Sequence, residues 1–202
     1  YFQAVPLLET ESSDFSPLTI TGDDFSLSFS HPDEMVIGSY RMEEEIILDK
    51  SEMVFAGYGI VAPEYDWNDY EGIDVTGKTV VVLVNDPGFA TEDSSLFTGR
   101  AMTYYGRWTY KFEEAARQGA AAALVIHQTE PASYGWEVVR NSWSGPQYSV
   151  VVNGNSDRLP AEGWIQYEAA EKIFQKADID IEKAIAEASE PGFTPIPLGA
   201  SA

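Results

Sequence analysis

The chain has 202 residues, 44% of them hydrophobic, which is enough apolar material to bury the core of one large globular domain. Its 12 basic and 33 acidic residues give a net charge of −21, which disfavours nucleic acid and anionic membranes as partners. The absence of cysteine excludes disulfides, thiol catalysis and cysteine-ligated zinc.

The first part of the chain predicts an arm that leads into a sheet. Residues 1–3 resemble the tail of an engineered protease cleavage site, which predicts an expression-tag remnant. Residues 4–34 are polar and broken by prolines, and short apolar pieces at 18–20 and 25–29 predict edge strands in an N-terminal arm. Further strands are predicted at 45–48 and 52–60, and Gly57 and Gly59 in the second indicate a bulge or a close backbone approach.

The middle of the chain predicts a crossover unit. Residues 79–84 form an unbroken run of mostly β-branched residues, which is typical of a strand buried on both faces. Turn residues follow at 85–88, and a helix is predicted from 109 to 118, with Gly119 ending it. A second buried strand is predicted at 120–126. Strand, helix and strand in this order predict parallel pairing with a right-handed connection.

The last third predicts one strand and two helices. The strand is expected at 147–152, after an aromatic loop that runs from 128 to 146. Apolar residues from Tyr167 to Ala177 and from Ile181 to Ala188 recur at helical spacing, and Asp180 is positioned to cap the second helix. Residues 193–202 contain two prolines and read as an exit linker. The whole pattern predicts a β-rich mixed α/β fold, an open barrel or sandwich of strands flanked by a few helices.

The motifs of several enzyme classes are missing from the sequence. It contains no Gly-x-Ser-x-Gly nucleophile elbow and no phosphate-binding glycine loop. A catalytic zinc site normally uses two or three histidines, whereas the chain has only His31 and His127, so we predict no catalytic, cofactor-binding or metal-binding residue. The acidic loop at 64–74 leaves calcium open as an alternative, although its spacing departs from that of an EF-hand. A hydrolase that uses carboxylates alone has no supporting motif.

Two aromatic loops are the remaining candidates for a functional surface. Large amphipathic rings are frequent in contact sites, but they also cover a domain's own core or an interface between domains, and both interpretations stay open. The candidate contact residues are Tyr104, Tyr105, Arg107, Tyr134, Trp136 and Trp143.

Several segments together resemble the protease-associated domain of di-zinc aminopeptidases related to glutamate carboxypeptidase and leucine aminopeptidase. They are VFAGYGIVAPEY at 54–65, GRAMTYYGRWTYK at 99–111, EEAARQGA at 113–120 and EPASYGW at 130–136. The resemblance covers roughly residues 35–198 and implies a domain that leans over a zinc peptidase site without contributing ligands. The two zinc ions would belong to the parent peptidase domain, and the location would be extracytoplasmic, either periplasmic or secreted.

The resemblance suggests a domain organisation and two functional hypotheses. We expect a protease-associated domain at 35–192, followed by the linker at 193–202 toward a peptidase domain. In the first hypothesis, this non-catalytic domain modulates substrate access or protein interaction, with the adjacent peptidase domain and peptide substrates as partners. In the second, the chain is an autonomous module that binds peptides or proteins. The strong acidity departs from the family pattern and leaves the binding surface open.

Overall fold

The computed structural model describes residues 1–13 and 15–202, and Asp14 in the predicted arm lies outside the described residues. The strands are β1 (Leu7–Thr10), β2 (Leu18–Gly22), β3 (Ser26–Phe29), β4 (Met35–Gly38), β5 (Glu52–Phe55), β6 (Val61–Ala62), β7 (Trp67–Asn68), β8 (Thr79–Leu83), β9 (Ala122–His127), β10 (Gln147–Val150), β11 (Ala161–Gln166) and β12 (Ile196–Ser201). The helices are α1 (Pro87–Thr91), α2 (Trp108–Arg117), α3 (Thr129–Ala132), α4 (Trp136–Ser142), α5 (Tyr167–Lys176) and α6 (Ile181–Ala188). No helix in these described ranges is both long and apolar enough to cross a membrane.

One eight-stranded sheet dominates the structure, in the order β3-β2-β12-β5-β8-β9-β11-β4. The four strands β5, β8, β9 and β11 are mutually parallel, and the remaining neighbours pair antiparallel. The edge strands β3 and β4 are joined only by residues 30–34, where the amides of Glu34 and Met35 donate to the carbonyl of Ser30. This short connection brings the two edges together, so the sheet is nearly closed. The predicted β-rich α/β class is confirmed.

Two apolar layers cover the two faces of the parallel strands. On the first, the α5 face, Val81 and Leu83 of β8 pack in one cluster with Phe174. On the second, the α2 face, Val80 and Val82 pack in one cluster with Phe112. Every residue of β8 and β9 is buried, because helices or loops cover both sides. This explains the unbroken apolar runs in the sequence.

The parallel pairing and the connecting helix of the predicted crossover unit are confirmed. Strands β8 and β9 pair in parallel from Thr79 opposite Ala122 to Leu83 opposite Ile126, and α2 connects them. The cap of α6 is also as predicted, since the Asp180 carboxylate accepts a hydrogen bond from the Lys183 amide at 3.1 Å. The strands predicted in the arm are β2 and β3.

The strand predicted at 52–60 is shorter than expected. It ends at Phe55, because Gly57 and Gly59 adopt φ of +53° and +63° and turn the chain away from the sheet. A Cβ atom on Gly59 would lie 2.8 Å from Cγ1 of Val82. The expected close backbone approach is therefore present.

Two other predictions about the sheet are wrong. Residues 45–48 form no strand, and half of them are exposed. Residues 196–201, predicted within the exit linker, form β12 between β2 and β5. The second segment forms a strand because its side chains alternate between the two faces of the sheet. Leu198 and Ala200 face the core, while Pro197 and Gly199 face solvent.

Candidate functional site

The parallel strands β5, β8, β9 and β11 all finish at one end of the sheet, which we call the carboxyl edge. In α/β folds with parallel strands, ligands commonly bind outside the carboxyl ends of those strands, in closed as well as open sheets. The first predicted aromatic loop, with Tyr104 and Tyr105, follows β8, and the second, with Tyr134 and Trp136, follows β9. The topology therefore brings both loops to the carboxyl edge.

The first loop forms an aromatic group beside α2. Tyr104 is 54% exposed, and its hydroxyl donates to Glu113 at 2.8 Å. Tyr105 is half-buried, donates to Glu64 at 2.6 Å, and packs its ring 4.9 Å from that of Tyr110. Arg107, the third predicted residue of this loop, is exposed. These rings cover the protein's own core on one side and face solvent on the other.

The second loop forms another aromatic group around His127. The rings of Tyr134 and Trp136 lie 6.0 and 5.6 Å from the imidazole, and both are half-buried. The carbonyl of Tyr134 lies 3.0 Å from His127 Nε2, which must therefore be the donor. Trp136 is fixed by its indole N–H, which donates to the carbonyl of Pro32 at 3.2 Å.

Trp143 was predicted in the same contact surface, and this prediction is wrong. Only 9% of the residue is exposed, and its ring packs 6.1 Å from the rings of Phe112 and Trp108. The reason is that α4 runs back across the α2 face, so its last turn lies under α2. Trp143 is a core residue.

A polar residue at the end of β8 connects the two loops. The Asn85 side-chain amide donates to the carbonyl of Pro131 at 2.9 Å, and the main-chain carbonyl of Asn85 accepts from Lys111 Nζ at 2.8 Å. Arg100 makes a second bridge by pairing with both Glu92 and Glu130. Among the described residues, no aromatic pair links the two ring groups. The carboxyl edge is therefore one surface with two separate aromatic groups.

A buried cluster of charged residues supports this surface from below, and the sequence analysis did not predict it. Lys111 and Asp86 are fully buried, and Asp69 is 1% exposed. Asp69 accepts from the Ile60 amide at 2.9 Å and from the Trp67 indole at 2.8 Å. Burial raises the pKa of Asp69, although these two hydrogen bonds and the charge of Lys111 favour its carboxylate form.

The second carboxylate of the cluster is only partly satisfied. Asp86 accepts from the amide and hydroxyl of Thr103 at 3.0 and 2.7 Å, while its Oδ1 is buried without a partner in the described part of the chain. Burial raises the pKa of Asp86. Burial also lowers the pKa of Lys111, although the negative charges of Asp69 and Asp86 act to raise it. The three residues join the segments after β5, β7 and β8 to α2, and so fix the carboxyl edge.

A cleft of about 440 Å³ opens between the ends of β9 and β11. The connection after β9 passes to the α2 face, where Val139 of α4 is buried, whereas α5 follows β11 to the opposite face. A crevice is expected where successive connections diverge in this way. Residues 127–131 and Trp136 line one side of the cleft, and residues 166–168 line the other.

The turn at 30–34 holds the two sides of the cleft together. The carbonyl of Pro32 accepts from Trp136 on one side, and the carbonyls of Asp33 and Glu34 accept from the side chain and amide of Gln166 on the other. The residues that join β3 to β4 and nearly close the sheet thus also brace the cleft.

The candidate metal ligands are dispersed in the structure. In the proposed calcium loop, Asp69 points into the core, Asp74 accepts from the Thr76 amide at 2.9 Å, and Glu64 accepts from Tyr105. The ring of His31 stacks on Phe15 at 3.7 Å. Across residues 1–13 and 15–202, no group of three or more histidines and carboxylates is arranged to hold a metal ion.

Comparisons with known proteins give one distant likeness. No family model and no curated protein matches the chain. The fold is similar to part of a solved aminopeptidase from Aneurinibacillus sp. strain AM-1, with a TM-score of 0.40 and 16% sequence identity. The match covers 96% of this chain and 33% of that one, so the chain spans about a third of the length of that enzyme.

Proposed function

We propose that this chain is a non-catalytic protease-associated domain that binds peptide at its carboxyl edge and thereby controls access to a separate peptidase domain. The observation that carries the proposal is the cleft, which opens where connections diverge from parallel strands and is walled by Trp136 and Tyr167. The sequence resemblance over 35–198 agrees with this role. In this proposal, the two zinc ions and the extracytoplasmic location are properties of the parent enzyme.

The geometry favours binding over chemistry at this edge. The cleft is open to solvent, and its walls combine aromatic rings with amide and carboxylate groups, which suits an extended polar chain. The buried Lys111, Asp69 and Asp86 lie beneath the surface, where they fix loops and do not reach a substrate. Contact and positioning are the roles that these residues can fill.

Peptide titration of this chain, followed by tryptophan fluorescence, tests the proposal. We expect saturable binding, and we expect Tyr167→Ala to weaken it about tenfold through loss of one cleft wall. Tyr148→Ala is the matched control, because Tyr148 is 61% exposed on β10 and does not line the cleft. A flat response across a broad peptide panel would contradict the proposal.

An activity assay on the same preparation tests the non-catalytic part. We expect no hydrolysis of aminoacyl p-nitroanilides with or without added zinc. Zinc-dependent hydrolysis by this chain alone would overturn the proposed role. Tyr167-dependent peptide binding, together with a reading frame that carries no His-x-Asp peptidase motif beyond residue 202, would favour the autonomous module instead.

A further inference from the structure

The polar lining of the cleft consists mainly of hydrogen-bond acceptors. Glu130 and Glu168 contribute carboxylates, Gln128 and Gln166 contribute amides, and no lysine or arginine lies among the residues that line it. Burial lowers the pKa of His127, which favours the neutral imidazole. Because Nε2 donates to the Tyr134 carbonyl, Nδ1 carries the lone pair and can only accept.

The charges around the cleft leave a negative surplus. Arg100 is already paired with Glu92 and Glu130, and Arg140 lies 3.7 Å from Asp33. Glu168 is exposed and forms no ion pair among the described residues. The net charge of −21 adds a long-range field of the same sign. An anion would meet repulsion here, even though the start of α5 favours negative charge, because Glu168 already occupies that first turn.

The aromatic walls suit a positive charge as well. Trp136 and Tyr167 are the first residues of α4 and α5, and they stand on opposite sides of the cleft. The faces of such rings attract cations, and the attraction grows when the cation is partly desolvated. A compact ammonium group can donate up to three hydrogen bonds, and the cleft lining offers carboxylate acceptors in Glu168 and in Glu130, which also pairs with Arg100.

We propose that the cleft between β9 and β11 is the subsite for the ammonium group of a bound peptide. This inference rests on the proposed peptide-binding function and adds the chemical class that the cleft selects. An ammonium group has two sources in peptides, the free amino terminus and the lysine side chain, and the cleft recognises the chemistry that both share.

Isothermal titration with four pentapeptides of otherwise equal sequence tests the inference. One has a free amino terminus and no lysine, one is acetylated and contains lysine, one is acetylated and neutral, and one is acetylated and contains glutamate. We expect one or both of the ammonium-bearing peptides to bind at least about tenfold more tightly than the two acetylated peptides without ammonium. Whichever ammonium peptide binds identifies the source.

Two variants locate the effect in the cleft. Glu168→Gln is expected to reduce the preference for ammonium peptides by about threefold or more, since it removes the unpaired carboxylate. Glu11→Gln removes the same charge from an exposed site outside the cleft and is expected to leave the preference unchanged.

The outcomes separate this inference from the function on which it rests. If the neutral acetylated peptide binds as tightly as the ammonium peptides, the inference fails and peptide binding stands. If Glu11→Gln lowers the preference as much as Glu168→Gln, the effect is the general field of the protein and the inference also fails. If no peptide binds, the proposed function itself is wrong.

Discussion

Glu162 on β11 is a buried carboxyl group whose Oε1 has no hydrogen-bond partner among the described residues. Only 2% of the residue is exposed, and burial raises its pKa from an ordinary 4.5 to about 7. The positive charge of Arg158 acts in the opposite direction but is the smaller effect. A carboxyl with a raised folded-state pKa releases its proton more readily from the unfolded chain. Its contribution to stability is therefore lost as the pH rises from about 4.5 to about 7.

The variant Glu162→Gln tests this pH dependence. Glutamine cannot ionise, so its free energy of unfolding relative to wild type is expected to rise by roughly 1–3 kcal/mol between pH 5 and pH 8. Urea denaturation at the two pH values measures the difference, and any constant cost of the amide cancels. Glu190→Gln, an exposed control, is expected to shift by less than about 0.5 kcal/mol. An equal effect of Glu162→Gln at both pH values would show that Glu162 is already ionised when folded.

Lys111 shows how far individual residues could be predicted. It follows Trp108 by three positions and precedes Ala115 by four, which is the spacing of residues that share one helical face. A lysine in that position normally extends to solvent, and nothing in the sequence indicated its partners. Asp69 and Asp86 come from segments that only the folded sheet brings beneath α2. The burial of Trp143 was missed for the same reason, since it depends on the direction in which α4 leaves the carboxyl edge.

At the level of elements, β12 is the most informative difference between prediction and structure. Prolines rarely occur inside a sheet because they cannot donate to a neighbouring strand, and this led to the linker prediction. Here Pro197 faces solvent opposite Val54, and the register with β5 shifts between Pro197 and Ser201. Such an irregularity accommodates the missing donor. Strand β11 was missed although five of its six residues are buried, because Glu162 and Gly163 interrupt its apolar pattern.

A pair of substitutions in β12 tests whether it belongs to the cooperative fold. Leu198 is fully buried, so Leu198→Ala is expected to lower the free energy of unfolding by about 2–5 kcal/mol. Pro197→Ala, at the adjacent solvent-facing position, is expected to change it by less than about 1 kcal/mol. Chemical denaturation followed by circular dichroism measures both. If the two variants unfold at the same urea concentration as wild type, residues 196–201 behave as the linker that the sequence suggested.

At the scale of the whole molecule, the elements that local sequence patterns determine were predictable. The features that depend on the near closure of the eight-stranded sheet were not. Buried parallel strands and their crossover helix followed from short apolar runs and one helical face. The approach of β3 to β4 requires the order of all eight strands, which no local segment contains. The cleft depends on the same closure, because the turn at 30–34 holds both of its sides. The sequence thus indicated the aromatic loops but not the space between them.

The net charge of −21 makes a prediction for the whole molecule. Like charges on a compact surface repel one another more than in the expanded chain, and salt screens this repulsion. We expect the melting temperature to rise by roughly 2–8 °C between about 20 mM and about 500 mM NaCl, equivalent to about 1–2 kcal/mol. Melting temperatures measured in sodium chloride and in magnesium chloride at equal ionic strength distinguish charge screening from binding of a divalent cation. Equal increases indicate screening, a larger increase with magnesium indicates a bound divalent cation, and no increase would contradict charge repulsion as a significant cost of folding.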